Sequence, residues 1–165
     1  MARVRQDQQL LPSVLDRLLD DQPEVTVEPP PSRYQVMRQL KQSVRRDLEA
    51  LLNSRQRCIS PPPHLKELKH SLLNYGVPDL SAANAGSQRE REDLAKTLQA
   101  IISRNEPRFK SVKVSLLTNT EPLDRTFRFR IDAMLIADPA PEPVVFDSTM
   151  QAATYAFVVR GGDDE

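Results

Sequence analysis

Read for hydrophobic period alone, the chain changes character once. Up to Asn105 its apolar residues recur at three- and four-residue spacing, as in amphipathic helices; beyond Arg108 they alternate with polar ones, as in half-buried strands. Pro12-Ser13 opens a short helix with Ser13 as N-cap, an apolar stripe of Val14, Leu15, Leu18 and Leu19, and Asp16, Asp20 and Asp21 opposite. At about nine residues such a helix does not stand alone in water. It docks on its own domain or, as a hook through Leu15, Leu18 and Leu19, on a partner. The stiff Pro29-Pro30-Pro31 spacer favours the hook. Ser32 begins the longest helix, which runs to about Arg55 with Val36 or Met37, Leu40, Val44, Leu48, Leu51 and Leu52 as its stripe. After Pro61-Pro62-Pro63 the pattern predicts a helix from about His64 to Leu73, burying Leu65, Leu68, Leu72 and Leu73. Gly76 suits its left-handed C-cap, and Pro78 prevents continuation. Ser87 and Glu90 form a capping box for a helix to about Asn105, with Leu94, Leu98, Ile101 and Ile102 inward.

The period changes at Glu106-Pro107-Arg108. Pro107 ends the helix and biases Glu106 toward extended backbone. Two strands follow, Val112–Leu117 and Phe127–Ile136, joined by a loop from Thr118 to Arg125. Val112, Val114 and Leu116 share a face with Phe127, Phe129, Ile131, Ala133 and Leu135, while Lys113, Ser115, Arg128, Arg130 and Asp132 fall on the other. Two more short strands, Val144–Asp147 and Thr154–Val159, come after a proline-rich loop. Helices first and strands last predict an α+β domain: about three main helices on one face of a small, roughly four-stranded sheet, with an N-terminal helical arm. The divisions expected are an arm over 1–31, a single domain over 32–160 and an acidic tail over 161–165.

Composition narrows the chemistry more than it suggests any. Lys plus Arg and Asp plus Glu both number 23, so nothing marks nucleic acid as a partner. The charges are uneven, however: basic side chains crowd Arg33 to Arg57, and acidic ones Phe127 to Glu165. That suits two differently solvated faces or ordered docking between subunits. Arg45-Arg46 lacks interleaved aromatics, which makes it a solvated or protein-docking face. Cys58 stands alone, so a reducing compartment is expected. Met1 to Gln9 is polar, no apolar run approaches the ~18 residues of a membrane span, and a cytoplasmic location follows as the expectation. There is no Gly-rich phosphate loop; His64 and His70, six apart, face different sides of a helix, and neither a cofactor nor a metal site is expected. The one catalytic idea is a glycosidase with Glu106 as acid and Asp132 or Asp79 as its partner. A general acid needs an apolar pocket that keeps it protonated, whereas Arg108 two residues away favours the charged carboxylate. With no tryptophan and 5% aromatics, stacking platforms for sugar are also scarce. On the residues alone, Glu106-Pro107-Arg108 is either a solvated turn or an acceptor and a forked donor offered to a partner chain.

Five stretches occur in order: Pro12 to Asp21, Asn74 to Asp79, Glu106-Pro107-Arg108, Phe127 to Ala133, and Glu142 to Asp147. Over roughly residues 10–160 this series resembles the TssE family of type VI secretion baseplate subunits, itself similar to the wedge component of contractile-tail phage baseplates once called lysozyme-like. Val77 and the loop from Asp79 to Ser87 depart from the family pattern. The resemblance implies a non-enzymatic assembly protein, cytoplasmic and assembled at the inner membrane. Glu106, Pro107 and Arg108 would dock on the wedge of TssF, TssG and TssK. The sheet would start TssB–TssC sheath assembly by strand exchange, an edge being a template for strand addition. Val144, Val145, Phe146, Tyr155 and Phe157 are the candidate sheet-edge contacts, with neither nucleic acid nor direct membrane insertion expected.

Overall fold

A computed structural model describes residues 14–19, 23–24, 32–57, 62, 64–65, 67–68, 71–79, 88–117, 126–137, 140–151 and 154–161. Among these residues three α-helices, α1 (Val14–Leu18), α2 (Arg33–Asn53) and α3 (Gln88–Asn105), precede four strands, β1 (Phe109–Leu117), β2 (Thr126–Leu135), β3 (Glu142–Gln151) and β4 (Phe157–Gly161). Ser32 starts α2 through a complete capping box: its hydroxyl accepts from the Gln35 amide at 3.3 Å, and its own amide donates to Gln35 Oε1 at 2.7 Å. The expected α+β class therefore holds. The arm's expected N-cap, Ser13, and the capping residue Ser87 lie outside the described residues.

The stretch from His64 to Leu73 is not the helix its apolar spacing predicts. Its described residues make i→i−3 turns, with Leu68 donating to Leu65 and Ser71 to Leu68, and one 3-10 turn over Leu72–Asn74. Leu72 is 88% exposed, and Leu65 and Leu73 are exposed too. A helix this short needs its stripe buried, and among the described residues Leu65, Leu72 and Leu73 are left uncovered. Tertiary pairing holds the following residues instead. Val77 donates to Ser54 O at 2.8 Å and accepts from Gln56 at 2.9 Å, a parallel bridge at the exit of α2. Gly76 has the positive φ expected of it (+100°), but it serves this bridge: a Cβ there would stand 2.5 Å from Ser54 O.

The strands form an antiparallel meander in the order β1-β2-β3-β4. The register aligns Val114 with Ile131, Ile131 with Phe146, and Ser148 with Val159. β3 extends beyond the expected Val144–Asp147, and β4 starts later than Thr154 because Tyr155, at φ 53°, belongs to the connecting turn. Alternation places Phe129, Ile131, Ala133 and Leu135 on the inner face, as predicted, where Leu48, Leu52, Leu98 and Ile102 of α2 and α3 meet them. The Phe129 and Phe157 rings lie 6.2 Å apart at the centre of this layer. The outer face is open and mixed, with Arg130 Nε 3.3 Å from Asp147 Oδ1 and Leu117, Val145 and Val158 exposed. Among the described residues, no helix is long and apolar enough to cross a membrane.

Candidate docking site

Where the hydrophobic period changes, the chain ties a charged knot. The Glu106 amide still donates to Ile102 O at 2.9 Å, so the corner continues the last turn of α3. Arg108 O then accepts from Ile136 at 2.8 Å and fixes the start of β1 against the exit of β2. Between these anchors the Glu106 side chain, only 6% exposed, receives Arg108 Nε on Oε1 at 2.7 Å and Nη2 on Oε2 at 2.5 Å. This is a bidentate fork closed within a tripeptide. The same guanidinium reaches α2, donating from Nη2 to Asp47 Oδ2 at 2.7 Å and from Nη1 to Ser43 Oγ at 3.2 Å. The Ser43 hydroxyl donates onward to Asp16 Oδ2 at 2.6 Å, and Arg46 holds the other Asp16 oxygen at 2.8 Å. Three carboxylates, two guanidiniums and a hydroxyl thus join α1, α2 and the corner.

The sequence therefore picked out the corner but not what it binds. Asp16, Ser43, Arg46 and Asp47 complete it, and a signal existed: Ser43 and Asp47 sit in helical phase with Leu40, Val44 and Leu48, where a polar residue must find a partner. The network's fields act as its geometry requires. The Arg108 guanidinium is raised well above its usual range, chiefly by its bonds to Glu106 and against the effect of burial. Arg46 is raised by its bond to Asp16, and the Tyr75 phenol by burial first and then by the charges of Asp47 and Glu106. With both oxygens held by Arg108, Glu106 has no free oxygen to meet a glycosidic bond. Nor does the corner present a forked donor outward: Arg108 directs its fork inward, and Pro107 is the exposed member.

Apolar surface flanks the knot on two sides. An open groove of about 520 Å³, lined by Leu68, Ser71, Leu72, Leu73, Tyr75 and Asn105, abuts it through Asn105 and Tyr75. On the α1 side, Asp16 turns inward while Val14, Leu15, Leu18 and Leu19 stay 55–76% exposed. The helix is tied down by its acid with its apolar stripe facing out, the reverse of an ordinary surface helix.

Residues 38–140 match the profile of a family described as baseplate wedge protein gp25. The chain belongs to that family, which includes TssE. No curated protein and no solved structure matches the chain at a significant level. Membership of the gp25 family makes the chain akin to a structural component of phage-type baseplates, whose members contact other baseplate and tail proteins.

In this gp25-family sheet the candidate sheath contacts lie apart from the knot. Val144 and Phe146 point into the core from β3, an interior strand, and Val145 lies on the outer face. The β3–β4 register ends at Phe146↔Gly161. Phe157 opens β4, a true edge, with its side chain buried; Tyr155 sits half-buried in the turn before it. Asp132 lies opposite Lys113 and Val145, and Asp79 is exposed after Val77. His64 is exposed; Cys58 and His70 lie outside the described residues. Among the described residues no three His, Cys, Asp or Glu are grouped to hold a metal ion.

Proposed function

We propose that this chain is a structural, non-enzymatic subunit of a type VI secretion baseplate that joins the wedge to the contractile sheath. The observation that carries the reading is the closed Glu106–Arg108–Asp47 knot in a chain of the gp25 family. It is unsuited to acid–base work, and exposed apolar residues of α1 and of the groove flank a corner braced by three elements. Such a surface, apolar contact area around a rigid and desolvated polar centre, has the anatomy of an interface hot spot. The wedge subunits TssF, TssG and TssK dock on this corner, with Leu15, Leu18 and Leu19 of the arm as a second grip. The sheet starts the TssB–TssC sheath at the cytoplasmic side of the inner membrane.

Because the knot is internal, changing Glu106 or Arg108 alters fold and docking together. Leu72→Glu and Leu73→Glu change the exposed apolar rim and touch no bond of the knot. Each is expected to keep the wild-type melting temperature and to lose co-purification with the wedge subunits. Normal wedge assembly by both variants would falsify docking at this corner. A lysozyme-like activity, the runner-up reading, predicts peptidoglycan release that depends on Glu106, and no observation here favours it.

A further inference from the structure

The two edges of the sheet are unequal, and the inequality has a definite source. On β4 Phe157 and Val159 turn their backbone groups outward, because Val158 and Arg160 are the residues that bond with Thr149 and Asp147 of β3. All four of those outward groups are taken by side chains of α2. Asn53 binds Phe157 twice, its Nδ2 donating to the carbonyl and its Oδ1 accepting from the amide, both at 2.9 Å. Glu49 Oε2 accepts from the Val159 amide at 3.1 Å, and Arg45 Nη1 donates to the Val159 carbonyl at 3.1 Å. The spacing explains why a helix can do this. Four helical residues rise about 6.0 Å, close to the roughly 6.7 Å of two strand residues. Positions 49 and 53 therefore keep step with 159 and 157, the longer Arg45 side chain reaches Val159 from one turn earlier, and α2 stands where a fifth strand would.

α3 packs along β1 in turn, but its side chains cap less of that edge. Gln99 Oε1 of α3 accepts from the Val114 amide at 3.1 Å, which shows that Val112, Val114 and Leu116 turn their backbone groups outward. Among the described residues, no side chain caps the amides or carbonyls of Val112 and Leu116. An added strand would displace one hydrogen bond here and four at β4.

We propose that α2 closes the β4 edge as a surrogate strand, so that this sheet gains a strand only along Val112–Leu116 of β1, from an extended segment of a partner chain. This rests on the sheath-starting reading above and specifies its edge. Val112, Val114 and Leu116 line the inner side of that edge, which asks for apolar residues at alternate positions of the incoming segment. Lys110 and Lys113 are exposed along β1, which asks for acidic residues on the outer side. A second copy of this chain pairing there would crowd the same lysines, so the occupant is a different chain.

Amide hydrogen exchange by NMR tests both parts. In the free protein the Phe157 and Val159 amides should exchange slowly and those of Val112 and Leu116 fast; the opposite order overturns the closure. Glu49→Ala with Asn53→Ala should abolish the protection at Phe157 and Val159. On addition of the TssB–TssC sheath complex, Val112 and Leu116 should lose their fast exchange while Phe157 and Val159 stay unchanged. Leu116→Pro, which removes an outward amide and no β1–β2 bond, should abolish the binding. Binding with protection gained at β4 or elsewhere overturns the β1 assignment and leaves the sheath reading standing. Absence of any binding overturns both, while the free-protein exchange still reports on the closure. Self-association through β1 overturns the choice of occupant.

Discussion

At the scale of single residues, the side chain that matters most is one whose charge is turned inward. Glu106 and Arg108 are two residues apart and are joined by three hydrogen bonds, two from the guanidinium and one from the Arg108 amide, so neither is a loose surface charge. Truncating one strands the other in a desolvated place, and Glu106→Ala is expected to cost about 2–3 kcal/mol in urea unfolding, below the 3–5 of a fully buried pair because Arg108 keeps some solvent contact. Tyr75 gives an independent readout of the same field. Its phenol is raised above the ordinary value of 10.0 by burial and by the charges of Asp47 and Glu106. The folded state therefore holds this proton longer than the unfolded chain. The stabilisation is complete below pH 10 and is lost as pH climbs through the folded pKa. Ultraviolet titration should find one of the three tyrosines ionising late, and Glu106→Ala should bring it earlier. The corner was legible because a proline and two charges interrupt a change of period. Its partners Asp16, Ser43 and Asp47 were not, since contacts across 27 to 65 residues leave no local pattern.

At the scale of elements, spacing fixed what a tertiary surface could use and misled where none was available. The α2 stripe was predicted from Leu40, Val44, Leu48 and Leu52 and is buried throughout, because the inner sheet face receives it. The Leu65, Leu68 and Leu72 spacing is as regular, yet the described residues there form 3-10 turns and no α-helix. Two substitutions separate the cases. Leu48→Ala, at 1% exposure, should cost about 2–5 kcal/mol, whereas Leu72→Ala should stay within about 0.5 kcal/mol of wild type by thermal or urea unfolding. Gly76→Ala combines a positive φ with a Cβ clash against Ser54, a residue whose carbonyl must stay to hold Val77. A loss of about 2 kcal/mol or more is expected by the same measurement, and wild-type stability would show that the bridge does not need this close approach.

At the scale of the whole molecule, the knot couples the arm to the corner. α1 touches the rest through Asp16, and its apolar stripe is left for something else. Asp16→Ala should release the arm, weaken co-purification with the wedge, and lower the stability of the domain by only about 1 kcal/mol, since its partner Arg46 remains half-exposed beside Asp47. Equal losses of binding and folding would instead make α1 a structural part of the domain. The sequence by itself determined the α+β class, the start of α2 at Ser32, the two faces of the sheet and the charged corner. Each of these is written in local period, in a cap or in a proline. Only the tertiary structure decided that the corner is closed upon itself, that the arm faces outward, and that β4 is covered by α2 while β1 is left with open backbone groups. Those depend on which helix lies along which strand, a long-range pairing that local spacing does not encode.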